Sequence, residues 1–285
     1  MHLGSLALLV SAAVLHAGWN FAAKRVGGGG AAFVWCYNTV SALLCVPIAI
    51  VDGFVEHVHP QWSWLVFAAG TAVLHVGYGL ILQRGYAVGD MSVVYPLARG
   101  TGPLLSVVVA VLAFHERPGV IGLLGVVAVV LGVCVISVGR AADATKPRIA
   151  SVVYGVLTGA TIAGYTLWDD QAVSTWALPP IIYFAAGCLL QSAILRPFAR
   201  KQEVAQLWHD HRREILVVAV LSPLAYLFVL FAMQTTPVSV VAPVRELSIV
   251  IGSIVAWRVL REPNPVRRLV GATIVLTGIL GIAVG

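Results

Sequence analysis

Charge is what this chain has least of. Only 11% of its 285 residues are Asp, Glu, Lys or Arg, 59% are hydrophobic, and the mean hydropathy is +0.92. That balance excludes an ordinary soluble domain of this length. Cysteine is scarce as well: Cys36, Cys45, Cys134 and Cys188 form no CxxC pair and no metal-site spacing, which leaves them as small core residues. There is no P-loop, so ATP is not the expected energy source, and no cofactor is expected. Basic residues outnumber acidic ones, 18 to 12, giving a formal charge of +6 and a pI near 9.4. They are scattered through short connections rather than gathered on one face, which argues against a nucleic-acid partner.

What the chain has instead is one apolar run after another. Stretches of about 20 residues, long enough to cross hydrocarbon, fall at 4–23, 31–51, 62–83, 91–113, 119–138, 151–168, 178–195, 214–233, 238–258 and 268–284. They are continuous, without the apolar and polar alternation of a β-barrel. The first run, "LALLVSAAVLHA", ends in small residues like a secretory signal, but Lys24 and Arg25 follow it and no Lys or Arg precedes it, so it is read as a retained span. The predicted fold class is an all-α integral membrane protein of ten transmembrane helices. Alternating the connections between sides places fifteen lysines and arginines on one side and only Arg117 on the other. The positive-inside rule then predicts basic loops in the cytoplasm, both termini outside, and a cytoplasmic (inner) membrane location.

The sequence also repeats itself. "SVVYP" at Ser92–Pro96 returns as "SVVAP" at Ser239–Pro243, "GVVAVVLG" (Gly125–Gly132) as "GATIVLTG" (Gly271–Gly278), and "AGWNF" (Ala17–Phe21) as "AGYTL" (Ala163–Leu167). This predicts a first five-helix repeat over 1–140, a cytoplasmic linker over 141–149 and a second repeat over 150–285. Five is odd, so the second repeat would be inverted, with a central cavity shared between the halves.

On "LHAGWNFAAK", "YPLARGTGPLLSVVVAVLAFHERP" and "VAPVRELSIVIGSIVAWRVLREP", the chain resembles EamA-type members of the drug/metabolite transporter superfamily over essentially its whole length. The resemblance implies a ten-helix bundle that moves small, often amino-acid-like metabolites by alternating access, usually outward. It also implies cytoplasmic termini in many members, against which the charge count here points the other way.

Polar residues inside the spans are the candidate site, because each is costly in lipid and should face the bundle interior. In span four, Ser92, Tyr95, Arg99, Gly102 and Ser106 share one helical stripe. Pro96 and Pro103 free the carbonyls of Ser92 and Arg99 and predict a bend. The repeat sets Arg99 opposite Glu246, with Arg245 beside it. Arg99 is therefore a candidate for binding an anionic or carboxylate group, with Glu246 as counter-ion or proton-coupling acid; the other reading is a structural salt bridge locking spans four and nine. Further substrate-binding candidates are Trp19 and Asn20 in span one, Tyr78 in span three, Tyr95, Tyr165 and Arg245; ion-coupling candidates are His16, His75 and Glu246. Thr71 lies on the face of His75, and Thr158, Thr161 and Trp168 on that of Tyr165.

Other features read as structural. Glu116 and Glu262 precede spans five and ten and would favour the positive ends of those helices. Gly122, Gly125, Gly132, Gly271, Gly278 and Gly281 would allow close packing of the halves or a homodimer seam. Trp62, Trp64, Trp176 and Trp208 fit an interfacial belt. His57 with His59 and His209 with His211 fall on opposite sides, so they share no metal, and no metal site is expected. Asp169 and Asp170, at the outer end of span six, read as solvated loop residues.

The function these features predict is a secondary transporter of a small polar or amphipathic metabolite, amino-acid-like or an organic anion, in contact with membrane lipids and open to proton coupling. It is not expected to be an enzyme. The rival, an integral-membrane enzyme acting on a lipid-linked substrate, needs clustered acids or histidines at one membrane face and leaves the repeat unexplained.

Overall fold

The computed structural model describes residues 2–26, 30–89, 91–137, 148–260 and 265–284. Its order is α1 (Leu3–Arg25), α2 (Gly30–Val55), α3 (Trp62–Val88), α4 (Met91–Ala113), α5 (Val120–Ser137), α6 (Arg148–Asp170), α7 (Pro180–Leu195), α8 (Lys201–Met233), α9 (Val238–Val244), α10 (Leu247–Leu260) and α11 (Pro265–Val284). A π-helical turn, Gln171–Thr175, extends α6, and a 3-10 turn, Arg196–Phe198, follows α7. Among the described residues there is no strand.

Among the described residues, seven helical stretches are long and apolar enough to cross a membrane: Leu3–Ala23, Gly30–Val55, Trp62–Val88, Val93–Ala113, Ile149–Thr175, Pro180–Phe198 and Lys201–Met233. Val120–Ile136 and Leu269–Val284 are shorter apolar helices. The surface is apolar, with Leu43, Phe54, Leu112 and Leu280 exposed, while Ser5, Asn38, Ser41, Thr71, Thr166 and Ser192 are buried. That inverted distribution is the one hydrocarbon selects, since lipid can neither hydrate a polar group nor penalise an apolar one. The chain is a multi-pass membrane protein.

Two elements depart from the sequence expectation. The expected span at 214–233 starts earlier, because α8 begins at Lys201 and absorbs a kink at His211 (φ −130°, ψ 25°). The expected span at 238–258 is broken between α9 and α10 at Arg245 and Glu246. Pro243 has no N–H to close the α-helical ladder, and the chain there makes tighter bonds, from Glu246 N–H to the Pro243 carbonyl (3.0 Å) and from Ile249 N–H to the Glu246 carbonyl (2.9 Å). In the first copy of the repeat α4 runs unbroken through Pro103.

Helix pairing repeats between the halves. α1 packs on α8 as α3 packs on α6; α2 on α8 as α3 on α7; α4 on α6 as α1 on α10; α4 on α5 as α10 on α11. Polar side chains bridge several of these contacts from inside. Ser41 Oγ donates to the Ala219 carbonyl (3.0 Å), Asn38 Nδ2 to Gln191 Oε1 (3.3 Å), and Ser5 shares a hydrogen bond with Thr235 (3.1 Å). Within a bilayer such bonds contribute on the order of 0.6–2 kcal/mol each.

The glycine faces of α5 and α11 meet within one chain. A Cβ on Gly125 would lie 2.5 Å from the Gly278 carbonyl oxygen, and one on Gly132 would lie 2.8 Å from that of Gly271. The seam is therefore backbone against backbone, and those faces are not available to a second copy.

Glu116 corrects the sequence expectation. It precedes α5, but its carboxylate accepts from the N–H groups of Val238 and Ser239, both at 3.0 Å, at the start of α9. It satisfies orphan donors of a helix in the other half, the role a side chain at the helix's own N-terminus would normally take. Its sequence counterpart Glu262 lies outside the described residues.

Because the seam has no room for a side chain, Gly278→Leu is expected to cost about 1–3 kcal/mol, read as a lower melting temperature of the purified protein in detergent. Gly252→Ala, whose Cβ would meet nothing within 4 Å, should leave the melting temperature unchanged.

Candidate functional site

The helix break delivers two adjacent charged residues to the middle of the bundle. Glu246 meets Arg99 from α4, Nε to Oε2 at 3.3 Å, with side chains only 4% and 13% exposed. Arg99 Nη2 also donates to Ser248 Oγ at 3.3 Å. Yet among the described residues Arg99 Nε and Glu246 Oε2 are both buried without a hydrogen-bond partner. The contact is thus coulombic, with its directional bonds unmade, and buried polar atoms in that state are uncommon in folded proteins.

Arg245 turns the other way, towards α6. Its Nη1 donates to Thr166 Oγ1 (3.1 Å) and its Nη2 to the Tyr165 hydroxyl (3.4 Å). The guanidinium also lies 5.8 Å from the centre of the Tyr165 ring and 5.7 Å from that of Tyr226, within cation–π range. His75 stacks on Tyr165 at 4.2 Å, and its Nδ1 donates to the Thr71 carbonyl at 2.9 Å. Tyr78 meets the edge of Tyr165 at 5.7 Å. An aromatic wall from α3, α6 and α8 thus backs one arginine, while a carboxylate faces the other.

Between the two arginines lies a cavity lined by Ala12, Ala13, His16, Arg99, Ala225, Tyr226, Val229 and Arg245. Its volume is about 10 Å³, the room one water needs. The small residues of α1 and α8 leave the gap and the charges give it chemistry: two cations that could hold a carboxylate, one of them facing Glu246.

The structure gathers only part of the candidate set. Arg99, Arg245 and His16 line the cavity, Glu246 touches Arg99, and His75, Tyr78 and Tyr165 form the wall behind Arg245. Trp19 and Asn20 do not line it: Trp19 packs edge-on to His16 (4.7 Å) and beside the Ala22 and Phe33 cluster, and Asn20 Nδ2 donates to the His16 carbonyl (2.7 Å) on its own helix. Tyr95 is half-buried and is not among the cavity residues. Trp168 Nε1 donates to the Phe67 carbonyl (2.9 Å), tying α6 to α3.

Asp169 and Asp170 overturn the expectation of solvated loop residues. Both are buried, Asp169 with 0% exposure. The hydroxyls of Tyr183 and Tyr226 donate to the two oxygens of Asp169. Helix α6 continues as a π-helical turn past the expected end of the span, so Asp169 is enclosed by α7 and α8 rather than released at the surface. Thr166, Ser248, Tyr183 and Tyr226 were likewise not singled out by sequence. Thr166 had a signal, since it occupies in the second repeat the place of Asn20 in the first; Tyr183 and Tyr226 had none, because only folding brings them to Asp169.

A family model described as EamA-like transporter family matches residues 3–138 and again 149–284. A protein of known crystal structure, 14% identical, superposes with a TM-score of 0.77 over 100% of this chain and 98% of its own, a likeness of fold. No curated protein matches the sequence.

Arg99→Gln or Glu246→Gln alone leaves an uncompensated buried charge and should cost about 3–5 kcal/mol. The double variant removes both charges and should recover more than about 1 kcal/mol relative to the sum of the singles. Melting of the four proteins in detergent gives this cycle; additivity would mean that the two charges do not interact.

Proposed function

The chain belongs to the EamA-like transporter family, and from that premise we propose that it is a secondary carrier of a small metabolite bearing a carboxylate or other anionic group. Amino-acid-like compounds and organic anions are the substrate class. The two family matches, 3–138 and 149–284, and the paired helix contacts support reading the ten apolar runs as ten spans in two inverted five-helix repeats, with the α9–α10 break inside the ninth. On the charge count, the basic loops face the cytoplasm of an inner membrane and both termini lie outside. The family resemblance makes outward movement of the substrate the expected direction.

The observation that carries the proposal is the incomplete bonding of Arg99 and Glu246 beside the cavity. A salt bridge built only for stability gains from saturated hydrogen bonds, whereas a binding site needs donors that a ligand can complete. In this reading the substrate carboxylate takes bidentate bonds from Arg99, displacing Glu246, while Arg245 and the aromatic wall take the rest of the molecule. Glu246, His16 and His75 are the residues through which the proposal couples an ion to this exchange.

A cavity of about 10 Å³ admits no metabolite, so loading requires the helices around it to part. The switch from α-helical to tighter backbone bonding at the α9–α10 break makes that segment, in this reading, the place where movement costs least. Alternating access, in this account, is the opening of the cavity first to one side and then to the other, with the glycine seam of α5 and α11 held fixed.

Reconstitution in liposomes tests the proposal. Labelled amino acids, organic anions and polyamines are offered with and without a proton gradient, and at least one anionic or amino-acid-like compound should cross; movement of none under any gradient would end the carrier reading. The Arg99→Gln, Glu246→Gln double variant should remain folded and lose transport, and wild-type rates from it would sink the site assignment.

A further inference from the structure

Helix α8 is longer than a membrane requires. Its 33 residues span about 50 Å against about 30 Å of hydrocarbon, and the kink at His211 separates a polar first stretch from the apolar remainder. Between positions 196 and 214 the chain carries five basic residues, Arg196, Arg200, Lys201, Arg212 and Arg213, and three acids, Glu203, Asp210 and Glu214. Hydrocarbon does not tolerate that density of charge. The stretch before the kink therefore belongs at a membrane–water interface, on the charge count the cytoplasmic one.

There it forms one wall of a groove. Lys201, Val204, Ala205 and Trp208, at helical steps of three and four, face Trp35 and Thr39 of α2 across a space of about 290 Å³, close to the lower limit of ligand-sized pockets. Val204 and Leu207 also pack on the Ala22, Phe33 and Cys36 cluster, which ties this wall to α1 and α2. Two cations mark the polar end: Lys201 lines the groove, and the Arg196 guanidinium lies 5.5 Å from the centre of the Trp35 ring while its Nη1 donates to the Ala199 carbonyl (3.4 Å). Nearby acids are engaged elsewhere, Glu203 by Arg200 (3.7 Å) and Glu214 by His211 (4.0 Å). Among the described residues neither Lys201 nor Arg196 is paired with a carboxylate. Thr39 adds a second singularity. Thr101, Thr158 and Thr273 each donate to the carbonyl four residues back, at 2.6, 2.7 and 2.9 Å, but the Thr39 hydroxyl is buried with no partner among the described residues.

We propose that the groove between α2 and the first stretch of α8 binds one anionic phospholipid of the cytoplasmic leaflet, an acyl chain lying between Trp35 and Trp208 and the phosphate meeting Lys201 and Arg196. Charge complementarity selects the headgroup, because a zwitterionic lipid would bring an ammonium of its own to two unpaired cations. The apolar walls select a lipid over a free phosphate, which would leave them unfilled. Thr39 stands one helical turn further into α2 than Trp35, about 6 Å along the axis. A glycerol ester carbonyl lies on the hydrocarbon side of its phosphate, so the Thr39 hydroxyl is the donor placed to meet it. The two tryptophans, amphipathic rings suited to this depth, close on the chain from opposite helices. The inference is independent of the carrier reading, since the lipid binds whether or not a substrate is moved.

Native mass spectrometry of the full-length protein in detergent tests this, with phosphatidylglycerol or phosphatidylcholine of identical chains added in turn. One phosphatidylglycerol should bind more tightly than any phosphatidylcholine. The double variant Arg196→Gln, Lys201→Gln should weaken that binding by at least about tenfold. Arg212→Gln with Arg213→Gln removes two cations from the same helix outside the groove and should leave it unchanged. Ala205→Phe, which fills the groove and spares its charges, should abolish the binding, and it keeps the test open if the first double variant does not fold. Equal binding of the two lipids, wild-type affinity in the folded Arg196 and Lys201 double variant or in folded Ala205→Phe, or an equal loss in the Arg212 and Arg213 control overturns the proposal. The same spectra count protomers: a wild-type dimer that Ala205→Phe dissociates would assign the groove to a second copy and likewise overturn it.

Discussion

A charge placed in hydrocarbon has to find an opposite charge or hydrogen-bonding partners within the protein, and the interior of this bundle is organised by that requirement. Arg99 reaches from α4 to Glu246, Arg245 reaches from the same break to α6, and Asp169 reaches from α6 to α7 and α8. Following these bonds traces a path through helices of both halves. Each apolar contact around them could be exchanged for another of similar size, but removing one member of the charged set strands another. The charges thereby fix which helices must be neighbours, and the surrounding apolar residues fill the space this leaves.

Two kinds of contact divide the labour. The α5–α11 seam joins backbone to backbone through Gly125, Gly132, Gly271 and Gly278, with no side chain to change rotamer. The cavity wall is the reverse: long side chains from α3, α4, α6, α8 and the α9–α10 break meet end to end through rings and hydroxyls. A seam without rotamers is suited to staying put, and a wall made of side-chain tips to rearranging. The seam is in this sense written in glycine and the wall behind Arg245 in tyrosine.

Much of this was legible in the sequence, and the unread remainder has a common cause. Apolar run length locates the helices, because hydrocarbon thickness sets it. The repeat set Arg99 against Glu246, which the structure places in contact, because the two copies share a local pattern. Pro243 signalled a weak point in the ninth run, yet Pro96 and Pro103 carry the same signal in a helix that stays whole; proline permits a break, and packing decides whether one forms. Asp169 and Glu116 were misread because local sequence says only that an acid stands near a helix end. Whether that end is wet, and whose N–H groups the acid meets, depends on Tyr183, Tyr226, Val238 and Ser239, all of which are non-local. Trp19 and Asn20 show the complementary case: helical spacing puts them on a polar stripe, and among the described residues it is their counterparts Tyr165 and Thr166 that meet an arginine.

Helix α9 is seven residues long, about 10 Å from Val238 to Val244. One end is held by the Glu116 carboxylate and the other runs straight into Arg245 and Glu246. A rod that short fixes the distance between its ends, so the Glu116 contact and the two central charges are held about one helix length apart. The loop before α5, in the first half of the chain, is thus tied through one short helix of the second half to the middle of the bundle.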